Sequence, residues 1–306
     1  MAEALYGDGG FYRAAGAPAA HFRTAAHVSP AWSQAWRQLL ERVDSALGGK
    51  TFVVVEKGAG GGELLAALAA DAPRRWRLVG VDVCPRPTGL PARVEWREEP
   101  PDAFVGALLA VEWLDVVPVD VVEHTEAGPR LVEVAPDGRE RAELPVPRDD
   151  EEWLARWWRT AEVGDRAEVG RSRDDAWADA VARVTRGVAV AVDYAVEPRR
   201  DVAGTLTGYR EGRQVLPVPD ASCDLTAHVR MDSCAQAVGG VESMLLSQRD
   251  ALQRLGVTGR RPSYDGDARS YLTELSRAGA DAELLDPGGL GGFTWLLQAK
   301  GLPLPL

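Results

Sequence analysis

The chain has 306 residues, 45% hydrophobic and 26% charged, the makeup of a globular protein of about two domains or one enlarged α/β domain. Its net charge of −11 and pI near 5.0 argue against non-specific nucleic-acid binding and against an anionic membrane surface, and are compatible with a cationic substrate. Three unpaired-looking cysteines (Cys84, Cys223, Cys234), four scattered histidines, and no signal peptide or spanning apolar run argue for a cytoplasmic protein with neither disulfide framework nor metal site.

In chain order, turn residues up to Pro18 precede a helix announced by Ser29-Pro30 as N-cap and first position, with Trp32, Trp36, Leu39, Leu40, Val43 and Leu47 at helical spacing. Residues 1–50 are expected as an N-terminal helical cap. Strands are expected at Phe52–Glu56, Leu78–Asp82, Val94–Trp96 and Gly106–Val111. Residues 119–148 read as a β excursion. Residues 149–186 add helical spacing at Trp153, Leu154, Trp157, Trp158 and at Trp177–Val184, so that 119–186 forms an inserted lid or substrate lobe. Val188–Asp193 returns to a buried strand, and 197–230 reads as a long ordered loop of the kind that usually carries function. A helix over 232–258, another at Tyr271–Ala278 and a hairpin of Asp281–Leu285 with Phe293–Lys300 complete the chain. The core is thus 51–118 with 187–306: a doubly wound α/β sheet with a C-terminal antiparallel hairpin.

One stretch concentrates several signals. Phe52–Val55 is a β-branched run, Gly58, Gly60, Gly61 and Gly62 follow, and Leu64–Leu68 opens a helix. Strand, glycine turn and helix begin a nucleotide-binding unit, since glycine lets the backbone bend sharply and approach a ligand. The dinucleotide fingerprint fails, because its third glycine falls on Glu63, where an acid would repel a pyrophosphate; a nicotinamide oxidoreductase is disfavoured accordingly. Glu56-x-Gly58-Ala59-Gly60-x-Gly62 instead resembles the first motif of S-adenosylmethionine (SAM) methyltransferases, where an acid suits the cofactor's cationic amine. Asp82, 20 residues after Gly62, ends the next strand, where a second acid would bind ribose hydroxyls.

Further phrases resemble one family in order along nearly the whole chain, the MidA-type SAM-dependent methyltransferases. They are Gly10-Phe11-Tyr12, His21–Pro30, Glu56–Leu65, Gly80–Asp82, Glu112–Asp115 with Pro118-Val119, Val192–Tyr194, Gly204–Tyr209, Asp224–Val229 and Gln248–Gly256. Two positions depart from the pattern: Lys57 within the glycine motif, and Val111 where Asn or His is usual. The resemblance implies SAM as cofactor and a protein arginine as methyl acceptor. Glu112 and Asp115, at a strand's C-terminal end, are the candidates to grip a guanidinium bidentately. Asp193, Tyr194 and His228 are candidates to line the acceptor site. A small-molecule acceptor is an alternative, as is an inactive scaffold that keeps the fold; a homodimer is compatible with either.

Overall fold

The β-branched run Phe52–Lys57 forms β1, the strand on which one sheet is built. In this computed structural model residues 1–13, 28–49, 51–196, 203–264 and 266–306 are described, so the phrase at 21–27 and the first residues of the 197–230 stretch lie outside the described residues. Contacts divide the chain into two units. One, the sheet unit, comprises Arg23–Val111, Ala182–Val192 and Gly240–Leu306; the second comprises Met1–Phe22, Glu112–Val181 and Asp193–Gly239.

In the sheet unit, β1 is flanked by β2 (Trp76–Val81) and β4 (Phe104–Val111), both parallel to it, with Glu56 opposite Gly80 on one side and Leu109 on the other. Beyond β2 lies β3 (Val94–Arg97), and beyond β4 lies parallel β9 (Val184–Asp193). Near the chain's end β14 (Thr294–Lys300) and antiparallel β13 (Glu242–Ser247) complete the order β13-β14-β9-β4-β1-β2-β3. The chain moves outward through β2 and β3, then returns to β1's other side at β4. That reversal is the topological switch point at which open α/β sheets take their ligands, beyond the carboxyl ends of the strands.

The helix expected after Ser29-Pro30 is α2 (Pro30–Leu47), following a short α1 (Ala2–Tyr6); the Ser29 hydroxyl accepts from the Ala31 N–H at 3.1 Å as an N-cap. Its apolar stripe buries Trp32, Trp36, Leu39, Leu40 and Val43 almost completely, and Trp36 stacks on Trp295 of β14 at 4.6 Å. This face joins β1, β4 and α3 (Glu63–Asp71) in one apolar core.

The second unit holds the β excursion as β5 (Asp120–Thr125), β6 (Gly128–Val134) and β7 (Glu140–Pro145), antiparallel neighbours in a four-stranded sheet whose fourth member is β8 (Arg166–Val169). Its helices are α4 (Arg148–Trp157) and α5 (Arg171–Ala182). The expected long loop contains a small sheet instead: β10 (Thr207–Arg210) between β11 (Arg213–Val215) and β12 (Asp224–Thr226). Strands of three or four residues carry too little periodicity to be read locally.

Two expectations change in detail. The single helix over 232–258 is α6 (Met231–Ala237), β13 and α7 (Gln248–Arg254), because Gly239-Gly240 interrupts it and Met244 and Leu246 pack on the core while Leu245 faces out. The expected hairpin arm Asp281–Leu285 is mostly the end of α8 (Ala268–Leu284), so β14 finds its antiparallel partner in β13. Among the described residues no helix is long and apolar enough to cross a membrane.

Gly106 shows how closely β4 meets β1: at φ 149° a Cβ there would lie 2.0 Å from the Val53 carbonyl oxygen. Gly106→Ala should therefore cost at least about 4 kcal/mol and lower the melting temperature by roughly 10 °C. Gly239→Ala, whose Cβ meets nothing within 4 Å, should be near neutral in the same calorimetric comparison.

Candidate active site

In the sheet unit, Gly58, Gly60 and Gly62 all adopt left-handed φ (69°, 53° and 74°), which is why the motif needs glycine at alternate positions. Gly58 and Ala59 donate to the Val81 carbonyl at the end of β2, and Gly62 caps α3. A Cβ on Gly60 would meet nothing within 4 Å, so the loop opens onto space, whereas one on Gly62 would strike Leu90 at 2.8 Å. Asp82 ties the loop down: Oδ2 accepts from the Gly60 N–H at 2.8 Å and Oδ1 from the Cys84 N–H at 2.9 Å. The Cys84 thiol also hydrogen-bonds this carboxylate, whose four lone-pair sites leave room for one ligand hydroxyl.

Glu56 is the electrostatic centre of this loop. It is buried, accepts from the Leu65 N–H, and leaves Oε2 with no partner among the described residues. Burial, followed by the charges of Glu63 and Asp82, pushes its pKa up to about 8. An unsatisfied buried acid beside an open glycine cradle fits a ligand carrying a cationic amine, as SAM does. Half-buried Lys57 has its pKa lowered by desolvation, with Glu99 and Asp82 opposing the shift.

The second unit gathers the other candidates. Glu112 directly follows β4 and takes φ 50°, a left-handed conformation uncommon for a side-chain-bearing residue. The turn after it is held by Asp193, whose Oδ2 accepts from the N–H groups of Leu114 (3.0 Å) and Asp115 (3.1 Å) while Oδ1 accepts from Tyr194 (2.9 Å). Tyr194 stacks on His228 with ring centroids 5.8 Å apart and planes 11° from parallel. Glu112, Asp115, Asp193, Tyr194 and His228 thus belong to one neighbourhood.

Its charges are unbalanced. Burial and the Asp115 charge raise Glu112 to about 8; burial, partly offset by Arg173, raises Asp193 to about 7. Burial, then Asp193 and Asp224, hold Asp115 well above the usual carboxylate range. Oε1 of Glu112 and Oδ1 of Asp115 are buried without a partner among the described residues.

Sequence reasoning missed Arg173, the cation buried within this cluster. From α5 it donates to the carbonyls of Asp115 (2.6 Å), His228 (2.7 Å) and Val117 (3.2 Å), tying the turn to the 224–229 segment. Nothing in the charged run Arg171–Asp175 distinguishes it from a surface arginine. The Gly204-Thr205 phrase is structural: buried Glu168 accepts from the N–H groups of Thr205 and Leu206 and from the Thr205 hydroxyl, which itself accepts from the His228 N–H at 2.8 Å. Gly204, at φ 78°, has no room for a Cβ beside Glu168. Among the described residues no cluster of His, Cys, Asp or Glu could hold a metal ion.

Residues 81–246, more than half of the chain, match the model of a family described as "Putative S-adenosyl-L-methionine-dependent methyltransferase". No curated protein matches the chain. Two crystal structures of COG1565 superfamily proteins from Burkholderia thailandensis share its fold. One, bound to S-adenosyl-homocysteine, aligns with a TM-score of 0.80 at 24% identity over 99% of this chain and 87% of its own. The other, in native form, aligns with a TM-score of 0.81 at 26% identity over 99% and 86%.

Two outcomes are expected. Arg173→Met, which leaves buried acids and three carbonyls unmatched, should destabilise the ligand-free protein by about 3–5 kcal/mol in denaturant titration. Glu56 keeps its proton in the folded state, so the stability it contributes is full below its ordinary pKa of 4.5 and is lost as pH rises to about 8. Glu56→Gln should therefore melt a few degrees above wild type at pH 8.5, with the gap closing at pH 5.

Proposed function

The chain belongs to this MidA-type family of SAM-dependent methyltransferases, and we propose that it methylates an arginine side chain of a partner protein, in the cytoplasm. The observation that carries this reading is the pair of buried oxygens on Glu112 and Asp115 with no partner among the described residues, in a cluster where acids outnumber Arg173. An apolar or anionic acceptor would leave those oxygens orphaned at a large desolvation cost. A guanidinium offers a planar set of donors and a positive charge that two carboxylates match. Charge on a larger scale agrees. The second unit carries 28 acidic residues against 15 basic ones, all arginine, whereas the sheet unit carries 18 against 20, so the former accounts for the chain's net charge of −11. Such a unit attracts a basic partner and raises its encounter rate. Cys84, Cys223 and Cys234 form no disulfide among the described residues, which suits a reducing compartment.

In this reading the Gly58–Gly62 backbone, Glu56 and Asp82 hold the cofactor's amino-acid and ribose ends. Bound there, the cofactor supplies an electrophilic methyl group for in-line displacement. Glu112 and Asp115 strip water from the guanidinium, fix its plane, and receive the proton that the alkylated nitrogen sheds. A carboxyl with a pKa near 8 is matched to that transfer at neutral pH. Asp193 fixes the turn bearing both acids, and the half-exposed ring of Tyr194 offers the cation a π face.

The test is incubation with methyl-labelled SAM and arginine-containing proteins, followed by hydrolysis and amino-acid analysis. Label should appear in methylarginine. Glu112→Gln should lower turnover at least about 100-fold while S-adenosylhomocysteine affinity stays within twofold. Label confined to lysine, to free small molecules, or to nothing would overturn the reading.

A further inference from the structure

The tyrosine of the Gly10-Phe11-Tyr12 phrase reaches the acid cluster. After α1 the chain folds back through Gly7–Gly10, with the Gly10 N–H donating to the Gly7 carbonyl at 2.8 Å. A Cβ on Gly10 would lie 2.8 Å from the Leu5 backbone, so the turn closes only on glycine. Leu5 and Phe11 are buried with Val116, Cys223 and Leu225, and the Tyr6 hydroxyl donates to the Val116 carbonyl at 3.1 Å. Tyr12 is fixed by two rings, Tyr6 stacked at 5.4 Å and Phe11 edge-on at 5.3 Å. Its hydroxyl then donates to Oδ1 of Asp224 at 2.8 Å.

We infer that Tyr12 is a positioning residue of the acceptor site: its hydroxyl holds the Asp224 carboxylate in place and ionised, so that the N-terminal segment sets how tightly a cationic acceptor binds. Asp224 is 2% exposed and has no ion pair among the described residues. Among the described residues the groups facing it are the Tyr12 hydroxyl from the N-terminal segment, the Asp115 carboxyl from the turn after β4, Cys223 beside it and Tyr209 opposite it on β10, with the Tyr6 hydroxyl turned to the Val116 carbonyl. Arg173 spends its donors on carbonyls. Among the described residues Tyr12 is the one side chain that donates a hydrogen bond to Asp224, and the carboxylate's other donor is the Leu225 N–H. Burial already lifts Asp224 to about 6, against the pull of these two donors. Tyr12's own pKa is raised by burial and by the Asp224 charge, so it stays a donor across the working range. Without the Tyr12 hydroxyl, Asp224 loses one of its two donors and holds its proton to higher pH, which weakens the negative charge of the site.

The inference rests on the cationic-acceptor reading of the preceding subsection, and its test separates the two. Full-length wild type, Tyr12→Phe and Tyr6→Phe are compared by calorimetric binding of an arginine peptide from pH 6 to 9. The ionisation midpoint of Asp224 is followed by 13C NMR on aspartate-labelled protein, assigned with Asp224→Asn. Tyr12→Phe should raise that midpoint and weaken peptide binding about tenfold at pH 7, with the loss vanishing by pH 9 and S-adenosylhomocysteine affinity unchanged. Tyr6→Phe, which removes the hydroxyl bonded to the Val116 carbonyl and keeps the ring stacked on Tyr12, should show no pH-dependent loss. Fluorotyrosine at position 12, a stronger donor on the same ring, should lower the midpoint. An unchanged Asp224 midpoint in both Tyr12 variants, or a binding loss equal at every pH, would overturn the inference. Absence of arginine-peptide binding by wild type would overturn the acceptor reading alone, since the midpoint still reports on Tyr12.

Discussion

Arg173 spends its guanidinium on backbone rather than on carboxylates, and the second unit's site depends on that choice. Its three hydrogen bonds run to the carbonyls of Asp115, Val117 and His228, which joins the turn after β4 to the segment between β12 and α6. A bidentate pair with Asp115 or Asp193 would have neutralised the cluster. Instead the cation stabilises nearby acids at a distance, while Glu112 and Asp115 each keep an oxygen with no partner among the described residues. Burying such groups costs stability, and folded proteins retain that cost mainly where a ligand repays it.

The glycine loop of the sheet unit follows the same logic with different parts. Glu56 is buried, half satisfied by Leu65, and pushed toward neutrality by burial and by Glu63 and Asp82. Both neighbourhoods present an acid whose ionised form is poorly supported by the protein alone. In each, a cation would complete the hydrogen bonding and restore the charge. Methyl transfer from a sulfonium-bearing amino acid to a guanidinium would bring one such cation to each.

Rigidity around these acids comes from non-local hydrogen bonds rather than local turns. Asp193 at the end of β9 fixes the backbone of Leu114 and Asp115, and Asp82 at the end of β2 fixes Gly60. Glu168 on β8 holds the Thr205 segment, which in turn supports His228. Several acids that could be taken for catalytic groups are thus occupied in holding others. Carboxylates suit this work because one side chain accepts from two or three backbone donors at once.

The sequence by itself determined the sheet's inner strands, the glycine loop and α2, because each is announced by a local signal: a β-branched run, glycines at alternate positions, a serine cap before a proline. It also placed Glu56, Asp82, Glu112 and Asp115 at strand ends, which follows from where the apolar runs stop. Tertiary structure alone decided the rest. β8 and β10–β12 are too short to show a period, and β13 is strand rather than helix because β14 pairs with it. Arg173 is indistinguishable in sequence from the chain's other arginines, and Tyr12 lies more than two hundred residues from Asp224. Burial, pairing and the pKa values they set depend on what surrounds a group in three dimensions, and no local pattern of residue types encodes that.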